Sequence, residues 1–391
     1  MPRKLTLSIM SQTRSFLTGL DQFGKQNGMD IARQELDYIT GWSDFVRMTI
    51  HGGSPDVSEM GSTWINDFAA MNVLRPFSPS DLRSLGSNKI FVQAQLHSTI
   101  SSGIVWSIPW MTDLRLVFYR RDLLSKAGIE EQNAFQTPER FEQTLQQLQD
   151  AGISTPFSVP TQSSYLNVHN LAMWVWQAGE NLVDVQNKVI LLDRPRVRSA
   201  ILSFLNLYRF MPKGTHRLDG NADQRFNAGE VAVIISGPWA INSKSRSPEV
   251  AANMGLAIPL GCSYIGGSNL VIWKQGNQVP DSLALIAYLT SREFFQANCS
   301  ERSVLFPGRL DSLEFFPMPD PSFYPLVQQA LKTGRSLPSM DLWGLVEDRL
   351  SPAISKLWDE IFASPQPDLE ALYNKHISSL VNRLNITLSP S

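Results

Sequence analysis

Along this chain the spacing of apolar residues switches repeatedly between the period of a strand and the period of a helix. That switching limits the folds open to it. Leu5, Leu7 and Ile9 alternate with Thr6, Ser8 and Met10, the pattern of a first strand. Phe16, Leu17, Leu20 and Phe23 follow at helical spacing, punctuated by Gly24 and Gly28. Residues 30–38 read as a second strand, 45–50 as a helix and 55–60 as a third strand, after which Trp64, Phe68 and Met71 share a helical face. Ser78-Pro79 and Thr137-Pro138-Glu139 each set a capping hydroxyl before a proline at the first helical position; the second of these helices runs to Gly152. Residues 104–108, 114–119, 231–235, 255–259 and 270–273 are apolar runs of strand length, and from about 321 onward the pattern is helical. Strands alternating with helices predict an α/β fold with parallel-rich sheets covered by helices. No tandem repeat or low-complexity tether interrupts the pattern, so ordered strands must join any domains.

With 391 residues the chain is long enough for two or three domains, or for one large fold cut in two. Charged residues make up 18% and hydrophobic ones 43%, which excludes wholesale disorder. A net charge of −2 leaves no global field to attract nucleic acid or an anionic membrane. No run approaches the apolar length of a spanning helix, about 18 residues or more. The basic, briefly apolar N-terminus is too short for a signal-peptide core, so an exported protein of this kind is expected to have its leader absent from this chain. Cys262 and Cys299 cannot form a disulfide framework or a four-ligand zinc site; one bridge or two unrelated thiols remain open. The five histidines are scattered without metal-ligand spacing.

Catalytic motifs are missing from the sequence. There is no GxSxG around Ser268 and no glycine-rich phosphate cradle, so neither a nucleophile elbow nor a nucleotide cofactor is expected. Asp67 and Asp113 could in principle act as an acid/base pair in glycoside hydrolysis, but a spacing in sequence fixes no distance. What stands out instead is an excess of aromatics, with 10 Trp, 8 Tyr and 20 Phe. Trp64 lies just past a predicted strand, Trp110 between two, and Trp239 caps residues 231–235. Ligands of open α/β sheets gather at such strand ends. A flat ring there offers an apolar face to a sugar while nearby polar groups bond its hydroxyls. Each ring could equally be core or rim, and Asp113 could simply cap a turn.

Several segments, in order across nearly the whole chain, resemble the extracellular solute-binding proteins of ABC sugar importers, the group that contains maltose-binding protein. They are Pro55-Asp56-Val57 with Gly61-Ser62-Thr63-Trp64, then Ile108-Pro109-Trp110-Met111-Thr112-Asp113 with Phe118-Tyr119-Arg120-Arg121-Asp122-Leu123-Leu124. Trp176-Gln177-Ala178-Gly179, Phe226-Asn227-Ala228-Gly229-Glu230, Gly237-Pro238-Trp239, Pro259-Leu260-Gly261 and Gly266-Gly267-Ser268-Asn269 continue the series, and Leu337 to Trp343 resembles the family's late ring-bearing segment.

The resemblance implies a two-lobed periplasmic-binding-protein fold of type II, each lobe a helix-covered sheet, with sugar held in the cleft by hinge closure and no reaction catalysed. Crossover strands would fall near 110–117, 257–263 and 305–311, giving a first lobe of 1–112 and 262–307 and a second of 113–261 and 308–391. By the same implication Trp64 and Asp67 serve the first lobe as stacking ring and hydroxyl acceptor, and Asp113 is the acidic residue at the hinge. Tyr165 supplies a ring in the second lobe, Trp239 and Trp343 are two rings of the sugar platform, and Trp110 stands with them as a candidate. Gly267, Ser268 and Asn269 form the segment that meets the ligand, Gln12 is a first-loop contact, and Arg309 and Arg335 are hydroxyl donors. The neutral first loop Ser11-Gln12-Thr13 points to a neutral di- or oligosaccharide. The implied partners are that sugar and the permease subunits, with no nucleic acid and a monomeric chain; the implied location is periplasmic or extracellular, anchored to the membrane as a lipoprotein. A glycosidase or a binding protein for a non-sugar solute are the rival readings.

Overall fold

A computed structural model describes residues 2–10, 14–86, 90–162, 165–212, 222–300, 303–337 and 340–388. The chain forms two compact units. Unit 1 takes Met1–Leu114, Ile265–Tyr324 and Ser336–Gly344; unit 2 takes Arg115–Tyr264, Pro325–Arg335 and Leu345–Ser391.

Unit 1 is built on a seven-stranded sheet in the order Phe306–Pro307, Ile108–Leu114, Ile265–Trp273, Val57–Gly61, Arg3–Met10, Met29–Leu36, with Leu74–Arg75 paired to the far end of Ile265–Trp273. Arg3–Met10 runs parallel to both neighbours, whereas Ile265–Trp273 is antiparallel to each of its own. The sheet is therefore mixed, not parallel-rich, because Ile265–Trp273 enters it from a distant part of the chain and runs against the local strands. One side of it packs on an aromatic core in which Phe45 meets Phe68 at 5.8 Å and Trp273 at 5.7 Å between ring centroids. Helix Pro79–Leu85 opens with a reciprocal cap: Asp81 N–H donates to Ser78 Oγ while Ser78 N–H donates to Asp81 Oδ2.

Trp110 does not lie between two strands. It sits inside Ile108–Leu114, a strand buried along its whole length, and its indole N–H donates to the Leu289 carbonyl at 3.0 Å. Pro109 and the polar Thr112 and Asp113 give this strand the look of a turn. The proline is tolerated because pairing slips between Ser268 and Asn269, opposite Pro109 and Met111. Thr112 is satisfied through a 2.6 Å hydrogen bond from its hydroxyl to Gln95 Oε1.

Unit 2 carries a four-stranded sheet in the order Met254–Ala257, Leu116–Arg120, Val233–Ser236, Phe157–Ser158. Helix Pro138–Asp150 covers it through Phe141, whose ring meets Phe157 at 5.3 Å and Trp174 at 5.6 Å. Trp174 and Trp176, two apart in helix Tyr165–Gln177, are both buried. Residues 308–324 and 336–344, the latter with Trp343, belong with unit 1, where the sequence reading set them in the second lobe. For 308–324 the reason is local: Phe306 and Pro307 pair with Thr112 and Met111, and Phe316 packs on Phe306 at 4.6 Å, so the expected crossover at 305–311 is a strand of the unit 1 sheet. Cys262 and Cys299 are free thiols.

Candidate functional site

In unit 1, Trp64 occupies the position just before helix Ile65–Ala70, and the helix's first turn brings Asp67 beside it. Trp64 is buried in the cluster formed by Met10, Phe45, Met60 and Trp273. Asp67 is 1% exposed and accepts the indole N–H of Trp42 on Oδ2 at 2.9 Å. Gly344 passes directly over this pair: a Cβ there would collide with Trp42 Nε1 and Asp67 Oδ2. The preceding Leu342 adopts φ 64°, which turns the chain so that Trp343 and Gly344 can make the approach. Trp343 is itself buried, and its indole N–H has no acceptor among the described residues. Trp64, Asp67 and Gly344, the residue after Trp343, are thus brought together, with Trp42 as a ring the sequence did not single out.

A second group forms where Ile265–Trp273 pairs with Ile108–Leu114. Asp113 is buried opposite Gly266, and Gly267 opposite Thr112. Gly267 has φ 127°, and a Cβ on it would strike the Met111 carbonyl, so no other residue fits without moving backbone. Ser268 and Asn269 turn their side chains inward. The Ser268 hydroxyl donates to Glu59 Oε1 at 2.6 Å; Asn269 accepts from Gln95 Nε2 at 2.9 Å and donates to Ser107 Oγ at 3.1 Å. Ser268 and Asn269 are thus wholly buried, and Gly267 alone of the three is partly exposed. Arg309 engages Asp311 with two nitrogens at 2.9 and 2.8 Å and gives a third bond to the Thr290 carbonyl at 3.1 Å. That pairing holds the Asp311 carboxyl below the usual carboxylate range, against the opposing effect of its burial. Gln12 lies outside the described residues.

In unit 2 the centre is Trp239, in the single helical turn Pro238–Ala240 that closes strand Val233–Ser236. Its ring is partly exposed and held from two directions. The indole N–H donates to Asp223 Oδ2 at 2.7 Å, and the guanidinium of buried Arg115 lies 4.8 Å from the ring centroid. Arg246 braces the same turn through the Ile241 and Ala240 carbonyls; burial pushes it down to about 10, with Asp223 pulling the other way, so it stays charged at neutral pH. Tyr165 begins helix Tyr165–Gln177 and leads a column of rings. It meets His169 at 5.2 Å, His169 stacks on Tyr264 at 3.8 Å, and Tyr264 lies parallel to Trp176 at 6.3 Å. Arg335 covers the ring of Trp176 at 4.8 Å and donates to Asn181 Oδ1.

Trp42, Glu59, Gln95, Arg115 and Asp223 escaped the sequence reading. Two of them left a signal there. Glu59 is a carboxylate inside a buried strand, and Arg115 is a cation inside the apolar run 114–119. Among the described residues no three His, Cys, Asp or Glu side chains gather to hold a metal, and no helix is long and apolar enough to cross a membrane.

Two α/β units exchange chain several times, and each carries aromatic rings and polar groups braced at strand ends. The chain belongs to the bacterial extracellular solute-binding protein family, whose model matches residues 20–294. Among curated proteins it is similar to the diacetylchitobiose-binding protein DasA of Streptomyces coelicolor, 21% identical over 310 residues, covering 76% of this chain and 70% of that one. Among solved structures it is similar to the GacH receptor of Streptomyces glaucescens, with a TM-score of 0.79, 20% identity and 99% of both chains covered. The sugar-binding protein MalE of Xanthomonas citri gives 0.79 at 22% identity, covering 98% of this chain and 97% of that one. The maltose-bound MalE3 of T. maritima gives 0.78 at 20%, covering 97% and 99%. The fold is the two-lobed type II fold of these proteins.

Proposed function

We propose that the protein captures a neutral di- or oligosaccharide by closure of its two lobes and delivers it to the permease of an ABC importer. The observation that carries this reading is Trp239. A partly exposed indole fixed by Asp223 through its N–H and backed by Arg115 is an immobilised apolar platform, and immobilised rings bind sugar faces at little entropic cost. The buried indole N–H of Trp343 supports it: it has no acceptor among the described residues, and a buried donor left unmatched costs about 1–3 kcal/mol until an oxygen accepts from it. The relatives' names agree in chemistry: diacetylchitobiose for DasA, acarbose for GacH, maltose for MalE3.

In this reading Trp64, Asp67, Asp113, Trp343 and the backbone at Gly267 serve the first lobe, with Gln12 a first-loop contact. Tyr165 and Trp239 serve the second. Crossovers near Leu114 and Tyr264 act as hinge strands. Closure follows the differential affinity of the closed form for sugar, and no bond is made or broken. The protein acts as a monomer outside the cytoplasm, anchored at the membrane beside its permease. Native mass spectrometry after incubation with a mixture of neutral saccharides tests this. A one-to-one adduct of an intact di- or oligosaccharide is expected, and release of hydrolysed sugar would put a glycosidase in its place.

A further inference from the structure

Glu59 lies in Val57–Gly61, a strand buried at every position, and is itself 0% exposed. Donors from three described segments of unit 1 are among the groups that reach its carboxylate. Met10 N–H reaches Oε2 at 2.7 Å, the Tyr38 hydroxyl reaches Oε1 at 2.9 Å, and the Ser268 hydroxyl reaches Oε1 at 2.6 Å. Met10 ends the first strand, Tyr38 follows the second, and Ser268 adjoins Gly267 on a third. The strands Arg3–Met10, Met29–Leu36 and Val57–Gly61 are parallel, so Met10, Tyr38 and Glu59 lie toward the same, carboxyl, end of the sheet. That is the end at which open α/β sheets bind ligands.

Packing alone does not call for an acid here. A leucine or methionine would fill similar space, whereas taking a carboxylate out of water costs several kcal/mol unless donors converge on it. The convergence adds a side-chain tie at the end of strands that the sheet already pairs through backbone, Met10 opposite Leu36 and Ser268 opposite Gly61. Tyr38 is partly buried and packs at the edge of the Trp64 cluster.

We propose that Glu59 is a positioning residue for ligand binding: without touching sugar, it fixes Tyr38, Ser268 and the end of the first strand in the arrangement the sugar meets. This rests on the sugar-binding reading above. In Glu59→Gln the single carboxamide oxygen must face Met10, whose N–H can only donate. The amide NH2 then faces Tyr38 and Ser268, whose hydroxyls must turn from donors into acceptors. The fold is retained and the charge-assisted bonds are lost, so sugar affinity falls about tenfold. Tyr38→Phe alone weakens binding, but adds little in the Glu59→Gln background because both changes break the same bond.

The test uses the full chain as wild type, E59Q, Y38F and the double variant. Affinity is measured by calorimetry with whichever of maltose, maltotriose or diacetylchitobiose binds wild type most tightly. Amide exchange is measured on the sugar-free proteins over 37–41 and 266–270. Weakened binding, faster exchange in both segments and sub-additive coupling are expected. Unchanged affinity in a folded E59Q overturns the proposal, even if its melting temperature falls. If E59Q does not fold, Ser268→Ala removes one donor and leaves the acid, and must then show a smaller loss in the same direction; no loss overturns the proposal. If none of the three sugars binds wild type, the sugar reading fails for these ligands, and unchanged exchange in E59Q would then overturn the positioning role separately.

Discussion

Replacing Trp239 by alanine removes the platform on which the proposed site depends. One face of an indole covers on the order of 100 Å², roughly half the area such a ring buries in full. At about 25 cal/mol per Å² its loss costs about 2.5 kcal/mol, or about 50- to 100-fold in Kd. Because the ring is partly exposed, in a single turn at the end of a strand, the fold should survive. Trp239→Phe separates the two contributions. It keeps an aromatic face but loses the 2.7 Å bond to Asp223 and part of the attraction to Arg115. That loss is worth about 1 kcal/mol, or about fivefold. Calorimetry with maltose, maltotriose and diacetylchitobiose, alongside thermal melts, should rank wild type above Phe above Ala at nearly constant melting temperature. A folded Trp239→Ala protein with wild-type affinity would refute the platform argument.

Gly267→Ala forces a side chain into φ 127° against the Met111 carbonyl, so it should destabilise the protein by at least about 1–3 kcal/mol; an unchanged urea midpoint would contradict this. Asp122 and Asp311 are held below the ordinary range, in each case chiefly by an arginine hydrogen bond, from Arg120 and Arg309. Their contribution is complete above the unfolded value of about 3.9 and is lost as pH falls through the lower folded value. Asp122→Asn and Asp311→Asn should therefore flatten the acid limb of a melting-temperature profile, and an unaltered slope would count against both pairings. Burial raises the Cys262 thiol and pushes Cys299 up to about 12, so both should alkylate slowly in the native state at neutral pH; rapid labelling would argue otherwise.

Local chemistry made much of the fold legible. Ser78-Pro79 and Thr137-Pro138 start helices because the hydroxyl caps and the proline needs no N–H partner there. Residues 116–120 and 233–236 are strands because short apolar runs must be buried on both faces. Ile108–Leu114 is obscured because its proline and polar residues are excused only by partners outside the strand: the pairing slip at Ser268 and Asn269, far along the chain, and Gln95, which bonds Thr112 and also donates to Ser268 O across 173 residues. The site divided in the same way. Trp239 was visible as a ring after a strand, but Arg115 and Asp223, which hold it, are visible only once the chain is folded. Ser268 and Asn269 were found by resemblance, yet the direction of their side chains depends on Glu59 and Gln95, and no spacing encodes that.

The central claim is that this chain recognises carbohydrate, and thermal unfolding across a solute panel tests it most directly. A ligand present at about 100 times its Kd stabilises the folded state by about 2.7 kcal/mol, enough to raise the melting temperature by a few degrees. The account predicts that rise with at least one neutral di- or oligosaccharide and none with peptides, polyamines or divalent metal salts. A rise confined to the non-sugar solutes, with every saccharide silent at millimolar concentration, would contradict it.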